Sequence, residues 1–163
     1  MSTSNITTPS NPPPSSPTYG LTSVEVSTLK EKCIEAKSRA YCPYSNFRVG
    51  CAVLLSSAAG SLAGTIITGA NVENASYPVG MCAERVALGH AAASGLRSGA
   101  FRAIAVATDG ERACSPCGMC RQFIREFCAE DVPVIMVAGN GDTAWITVGE
   151  MLPMSFGPSD LGK

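Results

Sequence analysis

Apolar side chains return every three to four residues between positions 22 and 40. Val26, Leu29, Cys33, Ala36 and Ala40 fall on one face, the rhythm of an amphipathic helix. Thr22 and Glu25 stand at its start with capping-box spacing, and Pro43 cannot continue it. The rhythm then changes. FRVGCAVLLSS (47–57) and GTIITGANVE (64–73) are short and β-rich. Ala58-Ala59-Gly60-Ser61 is a turn between them, which predicts an antiparallel hairpin. CAERVALGHAAASG (82–95) predicts a helix ending near Gly95, FRAIAVAT (101–108) a buried strand, and PCGMCRQFIREFCAE (116–130) a further helix. VPVIMVAG and TAWITV follow as strands, with a turn of helix at Glu150–Leu152. Helix alternating with strand in the second half favours parallel pairing there. The expected fold is α/β: one mixed sheet of about five strands covered by helices.

Residues 1–20 are rich in Pro, Ser and Thr and offer little to bury. They cannot offset the entropy of ordering, so a flexible tail is expected there, followed by one domain over 21–163. The chain of 163 residues carries 12 basic and 13 acidic side chains, a net charge of −1, with no basic block. That weighs against a nucleic-acid polymer as partner, because phosphates need positive charge to neutralise them. No apolar run is long enough for a membrane span. The N-terminus has neither the basic start nor the apolar stretch of a signal peptide. The eight cysteines are therefore read in a reducing, cytoplasmic setting, where grouped thiols bind metal or do chemistry.

Two groups stand out: Cys82-Ala83-Glu84-Arg85, and Pro116-Cys117-Gly118-Met119-Cys120. Each falls at the start of an expected helix, where the dipole and free N–H groups favour thiolate. Cys117 and Cys120 are one turn apart and share a face. Pro116 is placed to start the helix, where its missing N–H costs little. Structural zinc sites take four protein ligands; catalytic ones take three and keep one position open. Cys82, Cys117 and Cys120 supply three. Glu84 can stay off the metal and reach the open position. Three thiolates and Zn²⁺ sum to −1, which weakens the metal as a Lewis acid. Arg85 is expected to donate to ligand sulfurs and offset that charge. Two other patterns remain open at this point. Cys114, Cys117 and Cys120 resemble the start of an iron–sulfur run without its fourth cysteine and proline, and Cys114 would complete a four-sulfur structural zinc site. Cys33, Cys42, Cys51 and Cys128 read as ordinary buried thiols. His90 lies two turns beyond Cys82, too far to share a metal.

Cys-x-Glu followed by Pro-Cys-x-x-Cys is the zinc deaminase signature in its three-cysteine form. AYCPYSNFRVGCAVL, NVENASYPVGMCAERVAL, SPCGMCRQ and LPMSFGPSDL resemble, in the same order, the small homotetrameric cytidine deaminases that act on free nucleosides. The likeness runs over about residues 24–161. It implies a three-layer α/β/α fold and one Zn²⁺ per subunit on Cys82, Cys117 and Cys120. It also implies hydrolysis of cytidine, and of deoxycytidine, to the uracil nucleoside and ammonia in pyrimidine salvage. Glu84 would carry protons from the attacking water to N3 and to the leaving ammonia. Asn71 and Glu73 would hydrogen-bond the ribose, Phe47 would stack on the base, and the Ala83 N–H would meet the base. Tyr77 and Phe156 would border a site shared between neighbours in a homotetramer. Taken alone, Asn71 and Glu73 read as turn residues, Phe47 as core and Phe156 as a hydrophobic anchor. For Arg121 and Gln122 an interface or packing role is expected. A deaminase of the blasticidin type, acting on a modified cytosine nucleoside, and a non-catalytic structural-zinc module are the alternatives.

Overall fold

A computed structural model describes residues 18–162. The expected tail, residues 1–20, lies outside the described residues apart from Thr18, Tyr19 and Gly20. These three form a turn closed by Leu21 N–H donating to the Thr18 carbonyl at 2.9 Å. The Tyr19 ring stacks on Trp145 with centroids 6.0 Å apart, a contact far along the chain that local composition does not reveal.

Helix α1 (Ser23–Lys37) starts at the expected capping box: the Glu25 N–H donates to Thr22 Oγ1 at 3.2 Å, and the Thr22 N–H donates to Glu25 Oε2 at 2.7 Å. Its apolar stripe buries Leu29, Cys33 and Ala36. It ends at Lys37, well before Pro43, where the Ser38 N–H caps the Glu35 and Ala36 carbonyls. Strand β1 (Val49–Leu55) and strand β2 (Ile66–Ala70) pair antiparallel, Gly50 opposite Ala70, as the hairpin pattern predicts. The connection is a 3₁₀ segment, Ser57–Leu62, turned by Gly60 at φ 61°. Strand β2 stops at Ala70 rather than reaching Glu73. Beyond it Val72 exchanges hydrogen bonds with Met81, and the Glu73 N–H turns to the Tyr41 carbonyl, so the chain leaves the sheet edge.

Helix α2 (Ala83–Ala93), strand β3 (Phe101–Thr108), helix α3 (Gly118–Phe127), strand β4 (Pro133–Val137), strand β5 (Thr143–Thr147) and the short helix α4 (Val148–Met151) complete the order. The sheet runs β2-β1-β3-β4-β5. Strands β3 and β4 are parallel, joined by α3, and the other pairs are antiparallel. This is the mixed five-stranded sheet expected from the alternation of elements.

Helices occupy both faces. Leu29 and Cys33 of α1 pack on Ala52, Leu54, Ala103, Ala105 and Ile135. Ala87 and Leu88 of α2 and Ile124 of α3 pack on Val53, Ile104, Val106 and Val134 from the opposite side. Alternate side chains of β1 and β3 thus feed two cores, which is what a sheet covered on both faces requires. The register shifts between Leu54 and Leu55, a bulge that places Phe101 with the α2 core and Ala103 with the α1 core. Two glycines let the layers close. A Cβ on Gly50 would lie 2.1 Å from the Cys33 carbonyl oxygen of α1, and one on Gly69 would lie 2.5 Å from the Ala83 carbonyl oxygen and Ala87 nitrogen of α2. Close backbone approach at these positions excludes any side chain. Among the described residues no helix is long and apolar enough to cross a membrane.

Candidate active site

Helices α2 and α3 both begin with a cysteine at the N-cap. Cys82 (φ −74°, ψ 155°) and Cys117 (φ −66°, ψ 166°) have extended backbones, and neither side chain caps its helix. Their sulfurs are therefore free for other work at the positive ends of two helices. Pro116 precedes the N-cap of α3 rather than taking its first position, because the helix starts at Gly118. Its carbonyl accepts from Arg121 Nε at 2.8 Å. Arg121 also donates to Ser115 Oγ at 2.6 Å and to the Met151 carbonyl at 3.0 Å. It therefore ties the loop before Cys117 to α3 and to the end of α4, the packing role expected of it.

The Sγ atoms of Cys82, Cys117 and Cys120 all lie within 4.8 Å of one another, with Cys82 and Cys117 at 3.9 Å. Among the described residues this is the one cluster of ligating side chains tight enough to hold a metal ion. Soft thiolate donors in a compact trio suit Zn²⁺, and three leave a coordination position open. The Cys82 thiol is held well below its ordinary pKa, first by a hydrogen bond from Cys120 and then by Arg85 and Cys117. Cys120 is pushed up by the same hydrogen bond, in which it keeps the proton, and by burial. A metal ion would displace that proton, as metal binding to thiols generally does. Cys33 and Cys128 differ: burial raises both to about 12, so they behave as small hydrophobes.

Cys114 stays outside the cluster. It is exposed, and its Sγ is 3.4 Å from the Arg112 carbonyl oxygen. The four-sulfur alternative therefore lacks its fourth donor. His90 is exposed near the end of α2, away from the sulfurs.

Glu84 occupies the first turn of α2 and is only 3% exposed. Its Oε2 is buried with no hydrogen-bond partner. Burial raises its pKa, with the Cys82 charge adding to the effect. Desolvation favours the protonated form of such a carboxyl, compared with a solvated one. Arg85 follows on the same helix and lines the same cleft. Its Nη2 donates to Cys82 Sγ at 3.8 Å and to the Gly80 carbonyl at 3.0 Å, and its Nη1 reaches Met81 Sδ at 3.5 Å. This is the cation beside the sulfurs that the charge count calls for.

A cleft of about 450 Å³ opens over this cluster. Phe47, Asn71, Glu73, Tyr77, Cys82, Glu84, Arg85 and Cys117 all line it. The structure thus gathers residues that are 70 positions apart in the chain. Their local partners add detail that sequence reasoning missed. The Asn71 carboxamide holds the loop before β1: Oδ1 accepts from the Val49 N–H at 2.8 Å, and Nδ2 donates to the Phe47 carbonyl at 2.9 Å. One amide hydrogen and one lone pair remain for a ligand. Glu73 accepts from the Tyr44 N–H at 2.9 Å, the Ser45 N–H at 3.2 Å and the Ser45 hydroxyl. These bonds, the Ser45 hydroxyl first, hold its carboxyl below the ordinary range. Ser45 lies within the AYCPYSNFRVGCAVL block, but nothing in its spacing assigned it a role.

Residues 24–136 match the family model of the cytidine and deoxycytidylate deaminase zinc-binding region. The chain belongs to this deaminase family. A cytidine deaminase of Sporosarcina psychrophila is 42% identical over 138 residues, 85% of this chain and 96% of its own length. A probable cytidine deaminase of Dictyostelium discoideum is 43% identical over 136 residues, 80% of this chain and 86% of its own. The crystal structure of cytidine deaminase from Burkholderia pseudomallei matches with a TM-score of 0.74 at 40% identity, covering 80% of this chain and 98% of that one.

Two further residues named from the resemblance to these deaminases sit apart from the cleft lining. Ala83 is fully buried at the first position of α2, where the helix offers its N–H no intrahelical acceptor. Phe156 is 60% exposed and does not line the cleft of its own chain. Its carbonyl accepts from Gln122 Nε2 at 2.9 Å, and Arg125 Nε donates to Ser155 Oγ at 3.0 Å. The C-terminal segment of this family member is thus pinned along α3 with the Phe156 ring facing outward.

Proposed function

We propose that this zinc-dependent deaminase hydrolyses cytidine and deoxycytidine to uridine and deoxyuridine, releasing ammonia, in pyrimidine salvage. One observation carries the reading: a buried carboxylate with an unpartnered oxygen, Glu84 Oε2, two residues from a three-sulfur cluster that leaves a metal position open. Cys82, Cys117 and Cys120 would hold the ion. Zn²⁺, when bound, supplies the Lewis acidity that makes water a nucleophile near neutral pH. The water oxygen bonds to C4 of the base. Glu84 takes one proton from that water and delivers it to N3, and it carries the second to the departing amino group. The C4–N bond breaks, ammonia leaves and the 4-oxo base remains. Burial of Glu84 suits this shuttle, because a raised pKa lets one carboxyl act as base and then as acid.

The remaining roles follow the cleft. Phe47 stacks on the pyrimidine, and Asn71 keeps it in place through the Phe47 carbonyl. The spare amide groups of Asn71 and the Glu73 carboxylate take the ribose hydroxyls. The Ala83 N–H meets the base. Arg85 offsets the excess thiolate charge. Tyr77, 75% exposed on the rim, and the outward Phe156 ring serve a site shared between subunits of a homotetramer. Residues 21–163 form the catalytic domain, and the enzyme works in the cytoplasm. A substrate panel tests the reading: cytidine, deoxycytidine, a blasticidin-type cytosine nucleoside and a cytosine-containing oligonucleotide, with products separated by chromatography. Conversion of the first two is expected. Conversion of only the modified nucleoside or the oligonucleotide would overturn it.

A further inference from the structure

Among the described residues, only three have a buried side-chain nitrogen or oxygen without a hydrogen-bond partner: Glu84 Oε2, Arg85 Nε and Thr108 Oγ1. All three residues line the same cleft. Buried polar groups are nearly always satisfied, so three orphans in one place mark where a ligand completes the protein. Glu84 and Arg85 belong to the metal and proton chemistry already described. Thr108 belongs to no motif, and no role follows for it from the resemblance.

We propose that the Thr108 hydroxyl is a substrate-binding group, hydrogen-bonded to a polar atom of the bound nucleoside. The inference rests on reading the cleft as a cytosine nucleoside site. Thr108 ends β3 and pairs with Val49 of β1. It shares the alternation of Ile104 and Val106, so its side chain faces the α2 and α3 side of the sheet, where the cleft lies. It is 4% exposed.

The backbone beneath it is held fast. The Thr108 carbonyl accepts from Lys37 Nζ at 3.0 Å. The next residue, Asp109, takes Lys37 Nζ at 3.1 Å and Arg48 Nε at 2.9 Å. A β-branched side chain on a fixed strand end has little freedom at χ1. The hydroxyl is thus aimed before the ligand arrives, and its rotor can donate or accept as the ligand requires. A serine would carry the same group. A valine would fill the same volume without it.

The test compares the zinc-loaded wild-type enzyme with Thr108→Val and Thr108→Ser. Two readouts are taken: steady-state turnover of cytidine and the Tm of each ligand-free protein. Loss of one neutral hydrogen bond to substrate should raise KM by roughly 3- to 10-fold in Thr108→Val. Because the contact is made throughout the reaction, kcat should change much less. Thr108→Ser should restore most of the KM. The Tm of Thr108→Val should be no lower than wild type, since the free protein loses an unpartnered hydroxyl and no bond. Unchanged KM in Thr108→Val beside an active wild type would overturn the proposal and leave the deaminase reading intact. A lowered Tm in Thr108→Val that Thr108→Ser restores would overturn it by revealing a structural partner. A wild type inactive towards cytidine would overturn the functional reading, and this inference with it.

Discussion

Helices α2 and α3 open with the same device, a cysteine at the N-cap, yet they are held in different proportions of apolar and polar contact. Helix α2 is seated by apolar packing. Ala83, Ala87, Leu88 and Ala91 are fully buried, and Gly69 lets β2 touch the helix backbone directly. Helix α3 fully buries only Cys120 and Ile124, rests Phe123 and Phe127 half-buried against the same core, and is tied down further by polar side chains: Arg121 to the 115–116 loop, Gln122 and Arg125 to the C-terminal segment. The difference follows from what each helix carries. Desolvation is what raises the Glu84 pKa, and the close seating of α2 against the core supplies that burial. Cys117 needs no burial, only position, and hydrogen bonds from Arg121 supply it.

The seating of α2 is the feature most easily broken. Gly69→Ala would place a methyl 2.5 Å from backbone atoms of α2. Overpacking against backbone should cost about 3 kcal/mol or more, with zinc content falling as Cys82 moves. Chemical denaturation and metal analysis read both. Unchanged stability would mean that α2 is not packed as tightly as its glycine contact implies. Next comes the cation on α2. Arg85→Gln removes the donor to Cys82 Sγ and should lower zinc affinity or turnover by about 10- to 100-fold. Equal values for both in chelator competition and kinetic assays would remove the charge-offset role.

A smaller loss is expected on α3. Arg121→Gln abandons the Pro116 and Met151 carbonyls and should destabilise by about 1–2 kcal/mol, measured as a fall in Tm. Zinc affinity should fall modestly as well, because Arg121 braces the 115–116 loop that leads into Cys117. Asp109 sharpens the comparison from outside both helices. Hydrogen bonds from Arg48, then Lys37, hold its pKa down to about 2. An Asp with a depressed folded pKa stabilises above its unfolded pKa of about 4 and loses that contribution as pH falls towards 2. Asp109→Asn should therefore cost about 1 kcal/mol at neutral pH, with water screening part of the pair. The cost should vanish between pH 4 and pH 2 in acid titrations of both proteins. A constant difference across that range would assign the loss to packing.

What was legible in the sequence was what local chemistry encodes. The Thr22–Glu25 cap, the hairpin of β1 and β2, and the crossover through α3 follow from spacing and period. So does the sulfur trio, because Cys82 and Cys117 each announce themselves ahead of a helix. What was not legible depends on distant partners. The bulge at Leu54 and Leu55 arises from pairing with β3. Strand β2 ends early because Val72 finds Met81. Tyr19 belongs to the ordered chain because Trp145 lies across from it. Asn71 has a pattern, but its commitment to Phe47 and Val49 appears only once β1 and β2 are side by side. Thr108 has no pattern at all, and only its burial without a partner singles it out.

The central claim is that Glu84 moves the protons at a metal site built by three cysteines. The most direct measurement follows the ultraviolet absorbance of cytidine with the wild-type protein and with Glu84→Ala, beside the zinc content of each. The expected result is a shift of the wild-type reaction to the uridine spectrum. Glu84→Ala should keep its zinc and lose turnover by about 10³-fold or more, given what acid–base groups contribute. Near-normal turnover in Glu84→Ala would contradict the assignment.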